Sequence, residues 1–583
     1  MRHSPRRFGK LGTLAVAVAV LAMSSAGVPA SVAAADAPGS CSSGLPTSAR
    51  NTWLTGTIGT STDVDWYEFS VTSGSRAQVT LGNLPADYDL RVYRGCTTLV
   101  GSSNRSGRQF DEVYAYFRAG TYYVRVRGFD GARSVSRYAL RFRTLAWGTP
   151  VLSSTTWTDS SGYLHIAGEV LNNTAEPRRW LQLDASLLNG SGASIGSAVG
   201  YPRVTTLAPW TRSPFEIVTR KPAGFAKAKV RVCTPSTTGG CLPGQVAGTP
   251  LAGLSVAQSP SFTDTAGRRH YVGSVLNGGS STSFLTTAVV TVYNAYGNMK
   301  GIAAGGTRPG KVTAGAKGTY EIVGRGLAAP NRYVTTTTGT ATGCSSGPRY
   351  TGGQENLVAP LTRGTASGRV ALTFDMGGRM TPAVRILNIL VENRVCATLF
   401  PTGAISRTAE GQAALAIVKA HPELFEVGNH TMHHCDLVRG GGGAPGAADA
   451  AICAALASPP TEAQVKQELI DGEQWIQEYT GMNARPFWRA PYGVSNLAVR
   501  TWAAELGYTK HWKWDVDTID WRPISDGGPT ARSMILKVVN GAKSGSVVLM
   551  HLGGYETPMA LQGMIDGLRS RGFALTTLSD LAR

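Results

Sequence analysis

The sequence predicts a multidomain chain in which three all-β modules precede one α/β domain. Its 583 residues exceed what a single core organises, since domains commonly hold about 100–200 residues. Apolar residues alternate with polar ones between Gly-, Ser- and Asn-rich turns through the N-terminal half, which is typical of β-strands. After Gly368 the pattern changes to apolar strands that alternate with amphipathic helices, as in a parallel barrel or doubly wound sheet.

Residues 1–35 are predicted to be a secretory signal peptide. Basic residues up to Lys10 precede an apolar run over residues 11–23, and small residues around Ala33 offer a cleavage site. The alternative, an uncleaved anchor, is disfavoured because a membrane span needs roughly 20 apolar residues. We therefore expect an exported protein, extracellular or associated with the cell wall, with no membrane span.

The charge distribution separates the β modules from the C-terminal domain. The net charge of +19 divides into +4 for residues 1–35, +4 for 36–147, +11 for 148–364 and zero for 365–583. Export makes nucleic acid an unsuitable partner for the basic region. An anionic cell-wall polymer is the partner that we expect for the basic β modules.

Eight cysteines lie in the part predicted to be exported, where disulfides persist. Proximity in the sequence favours three pairs: Cys41–Cys96, Cys233–Cys241 and Cys435–Cys453. Cys344 and Cys396 remain, either as a pair across a domain boundary or with Cys396 as a buried thiol.

The first β module is predicted over residues 36–147, with strands at 66–71, 78–81, 90–93, 122–127 and 138–142. Its segments DVDWYEF (63–69), DYDLRVY (87–93) and GTYYVRV (120–126) resemble the bacterial pre-peptidase C-terminal domain. That resemblance implies a small β-sandwich used for attachment or targeting. Asp63, Asp65, Asp87 and Asp89 could bind Ca²⁺, but we favour their interpretation as turn and edge carboxylates.

An internal duplication fills the middle of the chain. The segment WTDSSGYLHIAGEVLN (157–172) recurs 105 residues later as FTDTAGRRHYVGSVLN (262–277). We therefore predict two copies of one β-sandwich-like unit, at 148–250 and 251–343, followed by a linker at 344–364. His165 and His270 are equivalent and could suggest a ligand site, but a repeated single histidine in a strand favours a packing role.

Polar residues gather where the strands of the last domain, residues 365–583, are predicted to end. These positions are Asp375, His430 with His434, Arg489 to Tyr492, Asp517 to Trp521, and His551. Functional sites of parallel α/β folds lie at such strand ends. Two histidines four residues apart would share one face of a helical turn, and with a nearby aspartate they form a set typical of metal ligands.

Five motifs in order resemble those of the polysaccharide deacetylases, carbohydrate esterase family four. They are TFDMG (373–377), HTMHH (430–434), RAPY (489–492), DTIDW (517–521) and LMH (549–551). The resemblance implies a distorted (β/α)₇ barrel that removes acetyl groups from amino sugars, and in some members from O-acetylated glycans. By position, it implies that Asp375 is the general base, that Arg489 orients it, and that His551 is the general acid kept cationic by Asp520.

The resemblance also implies a metal ion and a substrate pocket. His430 and His434 would hold a divalent ion, Zn²⁺ with Co²⁺ or Mn²⁺ as alternatives. The Tyr492 backbone N–H would stabilise the developing oxyanion, while Trp521 and Leu549 would line the pocket for the acetyl methyl group.

One position departs from the family pattern, because Met376 stands where a second, metal-binding aspartate is usual. A neutral thioether is a poor substitute for a carboxylate on Zn²⁺. Three outcomes are open: a metal held by the histidines and water, recruitment of Asp375 as a ligand, or a site that binds no metal. His433 is expected to be structural.

The sequence therefore predicts a secreted, metal-dependent polysaccharide N-deacetylase acting on acetylated glycan of peptidoglycan or chitin-like type. The alternatives are a non-catalytic glycan-binding surface protein with a degenerate metal site and an O-acetyl esterase. A Gly-rich insertion at 440–460 follows the histidine motif, and it either shapes the substrate groove or forms a surface loop.

Overall fold

The structure is a computed structural model that describes residues 32–33, 36–46, 51–233, 245–246, 253–324, 332–340, 343–344, 359–443 and 447–582. The predicted signal peptide therefore lies outside the described residues, except for a two-residue strand at Val32–Ala33. No helix among the described residues is long and apolar enough to cross a membrane.

The N-terminal region forms two five-stranded sheets. Its strands are β1 (Val32–Ala33), β2 (Leu45–Pro46), β3 (Trp53–Ile58), β4 (Val64–Val71), β5 (Ser75–Gly82), β6 (Tyr88–Arg94), β7 (Thr98–Ser103), β8 (Asp111–Phe117), β9 (Gly120–Gly128) and β10 (Ser134–Thr144). The sheet orders are β1-β3-β10-β5-β8 and β2-β4-β9-β6-β7. Alternate residues of both sheets meet in one aromatic core, as the period of two requires.

The duplicated region repeats one pattern of strands. The first copy has β11 (Val151–Thr158), β12 (Tyr163–Leu171), β13 (Arg178–Arg179), β14 (Leu183–Asn189), β15 (Ser194–Gly200), β16 (Thr206–Leu207), β17 (Arg212–Arg220), β18 (Phe225–Val232) and β19 (Gln245–Val246). The second has β20 (Leu254–Gln258), β21 (Phe262–Thr263), β22 (Arg269–Asn277), β23 (Phe284–Tyr293), β24 (Met299–Gly306), β25 (Lys317–Gly324) and β26 (Arg332–Thr340). Sheet β11-β12-β17 corresponds to β20-β22-β25, and β15-β14-β18 corresponds to β24-β23-β26.

The two equivalent histidines have the same surroundings in both copies. The imidazole of His165 binds Glu216 and Asp159 at 2.9 and 3.1 Å and stacks on Trp157. The imidazole of His270 repeats this with a glutamate, an aspartate and Phe262. These contacts support the packing role that the sequence favoured.

The C-terminal domain alternates strands and helices. Its elements are β27 (Arg369–Met376), α1 (Ala383–Glu392), β28 (Ala397–Pro401), α2 (Gly403–Ser406), α3 (Ala409–Ala420), β29 (Phe425–Val427), α4 (Ala447–Ala454), α5 (Glu462–Thr480), β30 (Phe487–Trp488), α6 (Leu497–Glu505), β31 (Lys510–His511), β32 (Val516–Asp517), α7 (Ala531–Gly541), β33 (Ser546–His551), α8 (Thr557–Ser570), β34 (Ala574–Thr576) and α9 (Leu578–Leu581).

All strand pairings in this domain are parallel. One sheet has the order β29-β28-β27-β33-β32, with β34 added to β27, and β30 pairs with β31. A parallel bridge from Asn429 to Trp488 joins the two sheets beside β29. The strands thus follow the order β27-β28-β29-β30-β31, and β32 leads through β33 back to β27, while no ladder joins β31 to β32 among the described residues.

Two helix starts show how far the local sequence sets the caps. Thr461, followed three residues later by Gln464, is a capping-box pattern, and the two residues form that box at the start of α5. The Thr381-Pro382 pair suggests a capped helix with Pro at its first position, but the N-cap of α1 is Pro382 and no side chain caps this end. The first amide of the helix, that of Ala383, donates instead to the carbonyl of Met380.

The first repeat is docked on the C-terminal domain through charged contacts. Arg203 donates to Asn393 at 2.9 Å, and Arg532 of α7 pairs with Asp184 at 2.9 Å. Arg385 of α1 pairs with Asp159 at 2.7 Å, so the His165 cluster belongs to this interface. The repeat therefore supports the domain directly.

Three disulfides join described residues. Cys41–Cys96 and Cys435–Cys453 are confirmed, and of the two alternatives left open for Cys344 and Cys396 the structure shows a bond between them. Cys233 is disulfide-bonded, while Cys241 lies outside the described residues. 

The four aspartates of the first module do not gather into one site. Asp63 accepts from the Gly59 amide, and Asp87 accepts from the Gly107 amide. Asp65 is buried and accepts from the Tyr138 hydroxyl, and burial raises the pKa of Asp65 to about 7. Within the described part of the chain, no three acidic, His or Cys side chains are grouped so that they could hold a metal ion.

Candidate active site

The motif residues meet at the carboxyl ends of neighbouring parallel strands. Asp375 on β27 and His551 at the end of β33 are register partners, so the two side chains start from adjacent positions. Asp517 at the end of β32 is paired with Leu549 in the same sheet. Arg489 follows β30 directly, and His430 lies in the loop that follows β29. The predicted site residues are thus brought together by the order of the strands.

Asp375 forms a buried ion pair with Arg489. The Arg489 Nη1 lies 2.7 Å from Asp375 Oδ1, and both side chains are buried. Burial alone would raise the pKa of Asp375, but Arg489, His430 and His551 together hold it below its usual value. The carboxylate is therefore ionised at neutral pH, and its second oxygen, Oδ2, lies 3.5 Å from Nε2 of His430.

His430 and His434 lie on a loop, so the predicted helical turn is wrong. Thr431 and His434 both have positive φ angles, 68° and 62°. Asn429 favours this bend because its side-chain oxygen accepts from the Thr431 amide at 2.8 Å. The two imidazole centroids are nevertheless 4.8 Å apart. The loop achieves the proximity that helical spacing was expected to provide.

Both imidazoles are neutral and retain free nitrogen atoms. Burial lowers the pKa of His430 and lowers that of His434 to about 3. His430 donates from Nδ1 to the Arg489 carbonyl at 2.7 Å, which leaves Nε2 with its lone pair. Nδ1 of His434 is buried and has no hydrogen-bond partner among the described residues. Neutral, oriented imidazoles with an orphaned nitrogen fit a divalent metal ion as two of its ligands.

Met376 does not supply a third ligand. Consecutive strand residues point to opposite faces, and Met376 belongs to the hydrophobic core, whereas Asp375 faces the site. Its methyl group lies against Gly411 at the start of α3, where a Cβ atom would come within 3.1 Å of it. Met376 is therefore excluded as a ligand, while His430 and His434 with water, and recruitment of Asp375 beside them, both stay open.

His551 is coupled to a fully buried carboxylate. Its Nδ1 lies 2.7 Å from Asp520 Oδ1, and its backbone amide donates to Oδ2 at 2.9 Å. Burial lowers the pKa of His551, but the charge and hydrogen bond of Asp520 outweigh burial and raise it above its ordinary value. His551 is therefore suited to carry a proton that it can donate from Nε2.

The proposed pocket residues differ in exposure. Leu549 is buried on β33, whereas Trp521 and Tyr492 are 54% and 51% exposed and can contact a large ligand. Tyr492 has a φ of 59°, and its ring meets the His434 ring edge-to-face at 4.6 Å. This conformation sets the direction of the Tyr492 backbone beside the two histidines.

The Gly-rich insertion contacts the site. The amide of Gly443 donates to the Tyr492 hydroxyl at 3.1 Å, and the Cys435–Cys453 disulfide anchors the segment next to the histidine loop. A Cβ atom on Gly442 would lie only 2.6 Å from the same hydroxyl, so glycine is required for this approach. Of the two alternatives for the insertion, the contacts favour a role in shaping the groove.

Sequence reasoning missed the residues that support Arg489 and Asp520. Arg489 donates to Thr373 and to the backbone carbonyls of Trp512 and Lys513. Asp520 also accepts from the Thr557 hydroxyl. Strand alternation could have identified Thr373, which shares a face with Asp375. The carbonyl and Thr557 contacts leave no local signal because they depend on distant segments.

Comparison with known families agrees with this site. Residues 362–511 match the family model described as polysaccharide deacetylase, and residues 63–128 match the bacterial pre-peptidase C-terminal domain. This chain carries a polysaccharide deacetylase domain. The matched range contains Asp375, His430, His434 and Arg489. His551 follows the end of the matched range.

Curated relatives match little more than a third of this chain. A peptidoglycan-N-acetylglucosamine deacetylase of Bacillus cereus is 29% identical over 222 residues, which are 37% of this chain and 88% of the relative. A chitooligosaccharide deacetylase of Sinorhizobium fredii is 28% identical over 229 residues, 37% of this chain and 92% of that protein. Among solved structures, a mutant of a CE4 family pseudoenzyme from Bacillus anthracis, with restored enzymatic activity, is 26% identical to this chain. The match covers 38% of this chain and 71% of the solved chain, with a TM-score of 0.31.

Proposed function

We propose that this protein is a secreted hydrolase that removes N-acetyl groups from amino-sugar glycans of peptidoglycan or chitin-like type. The proposed organisation is a signal peptide at 1–35, β modules at 36–147, 148–250 and 251–343, a linker at 344–364, and a catalytic (β/α)₇ barrel at 365–583. The observation that carries the proposal is the pair of adjacent strand ends that bear an ionised Asp375 and an Asp520-linked His551.

Asp375 acts as the general base. It remains ionised because the positive charge of Arg489 stabilises the carboxylate. Arg489 is itself fixed by hydrogen bonds to Thr373 and to two backbone carbonyls. A carboxylate held in one orientation can accept a proton from a water molecule that attacks the acetyl carbon. Removing the charge of Asp375 would leave the guanidinium buried without its counter-ion.

His551 acts as the general acid. Amide hydrolysis needs a proton on the departing nitrogen, and the raised pKa of His551 favours the protonated imidazole that can supply it. Asp520 accepts the Nδ1 proton, so Nε2 carries the proton that is transferred. The base and the acid thus belong to adjacent strands and can act on opposite sides of one amide bond.

Carbonyl polarisation and substrate contact are assigned to the remaining motif residues. The Tyr492 backbone N–H would donate to the oxygen of the tetrahedral intermediate. Leu549 would contact the acetyl methyl group, and the exposed Trp521 ring would pack against a sugar face. His430 and His434 would hold a divalent metal, Zn²⁺ with Co²⁺ or Mn²⁺ as alternatives, which when bound acidifies water and polarises the carbonyl.

Two other candidate functions remain, and Met376 favours the first of them. Without the usual aspartate, the domain has fewer anionic ligands for a metal, and a non-catalytic glycan-binding protein would keep the groove without hydrolysis. An esterase acting on O-acetyl groups would use the same side chains on a different bond. The three functions can be told apart by acetate release. The N-deacetylase releases acetate from N-acetyl groups, the esterase releases it from O-acetyl groups, and the binding protein releases none.

The test is release of acetate from N-acetylglucosamine oligomers and from an O-acetylated glycan, with chelator and with added Zn²⁺, Co²⁺ or Mn²⁺. We expect release from the N-acetylated oligomers only in the presence of metal. Asp375→Asn should lower kcat by about 10²–10⁴-fold, whereas Glu478→Gln, an exposed substitution on α5, should leave it unchanged. No release from either glycan with any metal would exclude the enzyme, and release from the O-acetylated glycan alone would identify an esterase.

The proposed partner of the basic β modules is an anionic polymer of the cell wall. The net charge of residues 148–364 is +11, and the catalytic domain has a net charge of zero. Retention on the wall would keep the enzyme near its substrate. 

A further inference from the structure

A polar cleft lies between the first β module and the second repeat. Its volume is about 440 Å³, and Gln109 of the first module faces Arg269 and Arg332 of the repeat across it. The two modules are in close contact beside it, because the Asn83 amide donates to the Ala295 carbonyl at 2.7 Å. The cleft is thus bounded by two packed modules and is distant in sequence from every deacetylase motif.

Arg269 is held in place and still has a free donor. Its Nη1 and Nη2 atoms donate to Thr263 and Ser261 at 3.1 and 2.5 Å. Its Nε is buried and has no hydrogen-bond partner among the described residues. Because two side chains fix the guanidinium, its positive charge is held at the wall of the cleft without further loss of conformational freedom.

Arg332 also has an unpaired hydrogen-bond donor and no counter-ion among the described residues. Its guanidinium lies over the Phe110 ring at 4.6 Å, and its buried Nη1 has no hydrogen-bond partner in the described part of the chain. Burial lowers the pKa of Arg332 to about 10, which leaves it charged at neutral pH. No carboxylate of the described residues lies within ion-pair distance of Arg269 or Arg332.

The carboxylate whose charge reaches Arg332 is already bound by other side chains. Glu112 contributes a favourable field at Arg332, but its carboxylate is bound by Arg212 at 3.0 Å and by Gln78 at 2.7 Å. Arg105 adds a further positive charge near Arg332. Both arginines line the cleft without a carboxylate of the described residues in ion-pair distance, so an anion entering it would supply the missing counter-charge.

We propose that this cleft binds an oxyanion, a carboxylate or phosphate group, carried by a polyhydroxylated polymer outside the cell. Arg269 and Arg332 bind the anionic group. Gln109, whose side chain makes no hydrogen bond among the described residues, is available to neighbouring hydroxyl groups. The side chains of Gln258 and Tyr333 already bind backbone groups and form an ordered wall of the cleft. The site anchors the protein independently of the deacetylase groove.

The test measures binding of small anions to the full-length mature chain by titration calorimetry. The probes are inorganic phosphate, glycerol 3-phosphate and glucuronate, so that phosphate and carboxylate sources are compared directly. We expect at least one probe to bind with a Kd of about 1 mM or tighter. Arg332→Gln and Arg269→Gln should each weaken binding by about tenfold or more, while Lys300→Gln, an exposed control on β24, should not.

Arg332→Lys keeps the charge and should retain part of the affinity, which guards against a variant that fails to fold. Absence of binding by all three probes, or unchanged affinity in both arginine-to-glutamine variants, would overturn the proposal. Deacetylation of soluble oligomers should be the same in these variants as in the wild type. Failure of the anion site and failure of the proposed enzyme are therefore separate results.

Discussion

Replacing Asp520 with asparagine isolates the electrostatic coupling that we assign to the general acid. Asp520 is fully buried, and its carboxylate accepts from the His551 ring, the His551 amide and the Thr557 hydroxyl. Asparagine has nearly the same shape and can still accept from the ring. It removes the negative charge that raises the pKa of His551.

The size of the effect follows from the geometry. The Nδ1–Oδ1 distance is 2.7 Å, and charge centres about 4 Å apart at an effective dielectric constant of about 20 interact by about 4 kcal/mol. The His551 side chain is 25% exposed, so solvent screening reduces this interaction to about 1–3 kcal/mol. Loss of the interaction lowers the pKa of His551, and because an acid works only while protonated, the basic limb of the kcat profile should move to lower pH.

The assay is the pH dependence of acetate release from N-acetylglucosamine oligomers by wild type and Asp520→Asn. The acidic limb, which reports ionisation of Asp375, should move little. Melting curves check that the variant is folded, since an amide facing the His551 N–H costs about 1–3 kcal/mol. A basic limb that moves by less than about 0.3 units would refute the assignment of His551 as an acid controlled by Asp520.

The remaining predictions concern the metal, the domain interface and one disulfide. His430→Ala should abolish metal-dependent acetate release. His433→Gln should retain it, because His433 binds Glu468 away from the reacting groups. Retained activity in His430→Ala would contradict metal binding by His430. His165→Gln should destabilise the protein more at pH 5.5 than at pH 8.5. The folded state raises the pKa of His165, so its contribution to stability is complete below the unfolded pKa of about 6.5 and is lost as the pH rises through the folded pKa. An equal change in Tm at both pH values would argue against this. Removing the Cys344–Cys396 bond, which spans 52 residues, should lower the free energy of unfolding by about 4 kcal/mol in a denaturant titration, and an unchanged midpoint would refute the estimate.

Much of the fold could be predicted because its signals are local. The capping box at Thr461 depends on residues three apart, and the strands of the first module follow from alternation. The duplication is visible as a fixed offset between identical patterns. The strand ends that bear Asp375 and His551 also follow from the sequence, because parallel strands place their carboxyl ends at one edge.

The surroundings of the site could not be predicted in the same way. Spacing alone suggested a helical turn for His430 and His434, whereas Asn429 and two positive φ angles form a loop that gives the same proximity. The carbonyl groups that bind Arg489 belong to residues 23 and 24 positions further along the chain. Every residue has a backbone carbonyl, so the residue type at those positions gives no signal of the contact. 

The sequence by itself determined the order of modules, the repeat, the five motifs and the absence of the usual aspartate at Met376. Only the tertiary structure decided where that methionine points, that the first repeat docks on the deacetylase domain, and that Arg269 and Arg332 face a shared cleft. Side-chain identity and periodicity are properties of neighbouring residues. The direction of a side chain at a strand end and the contacts between modules depend on packing of segments that are far apart in the chain.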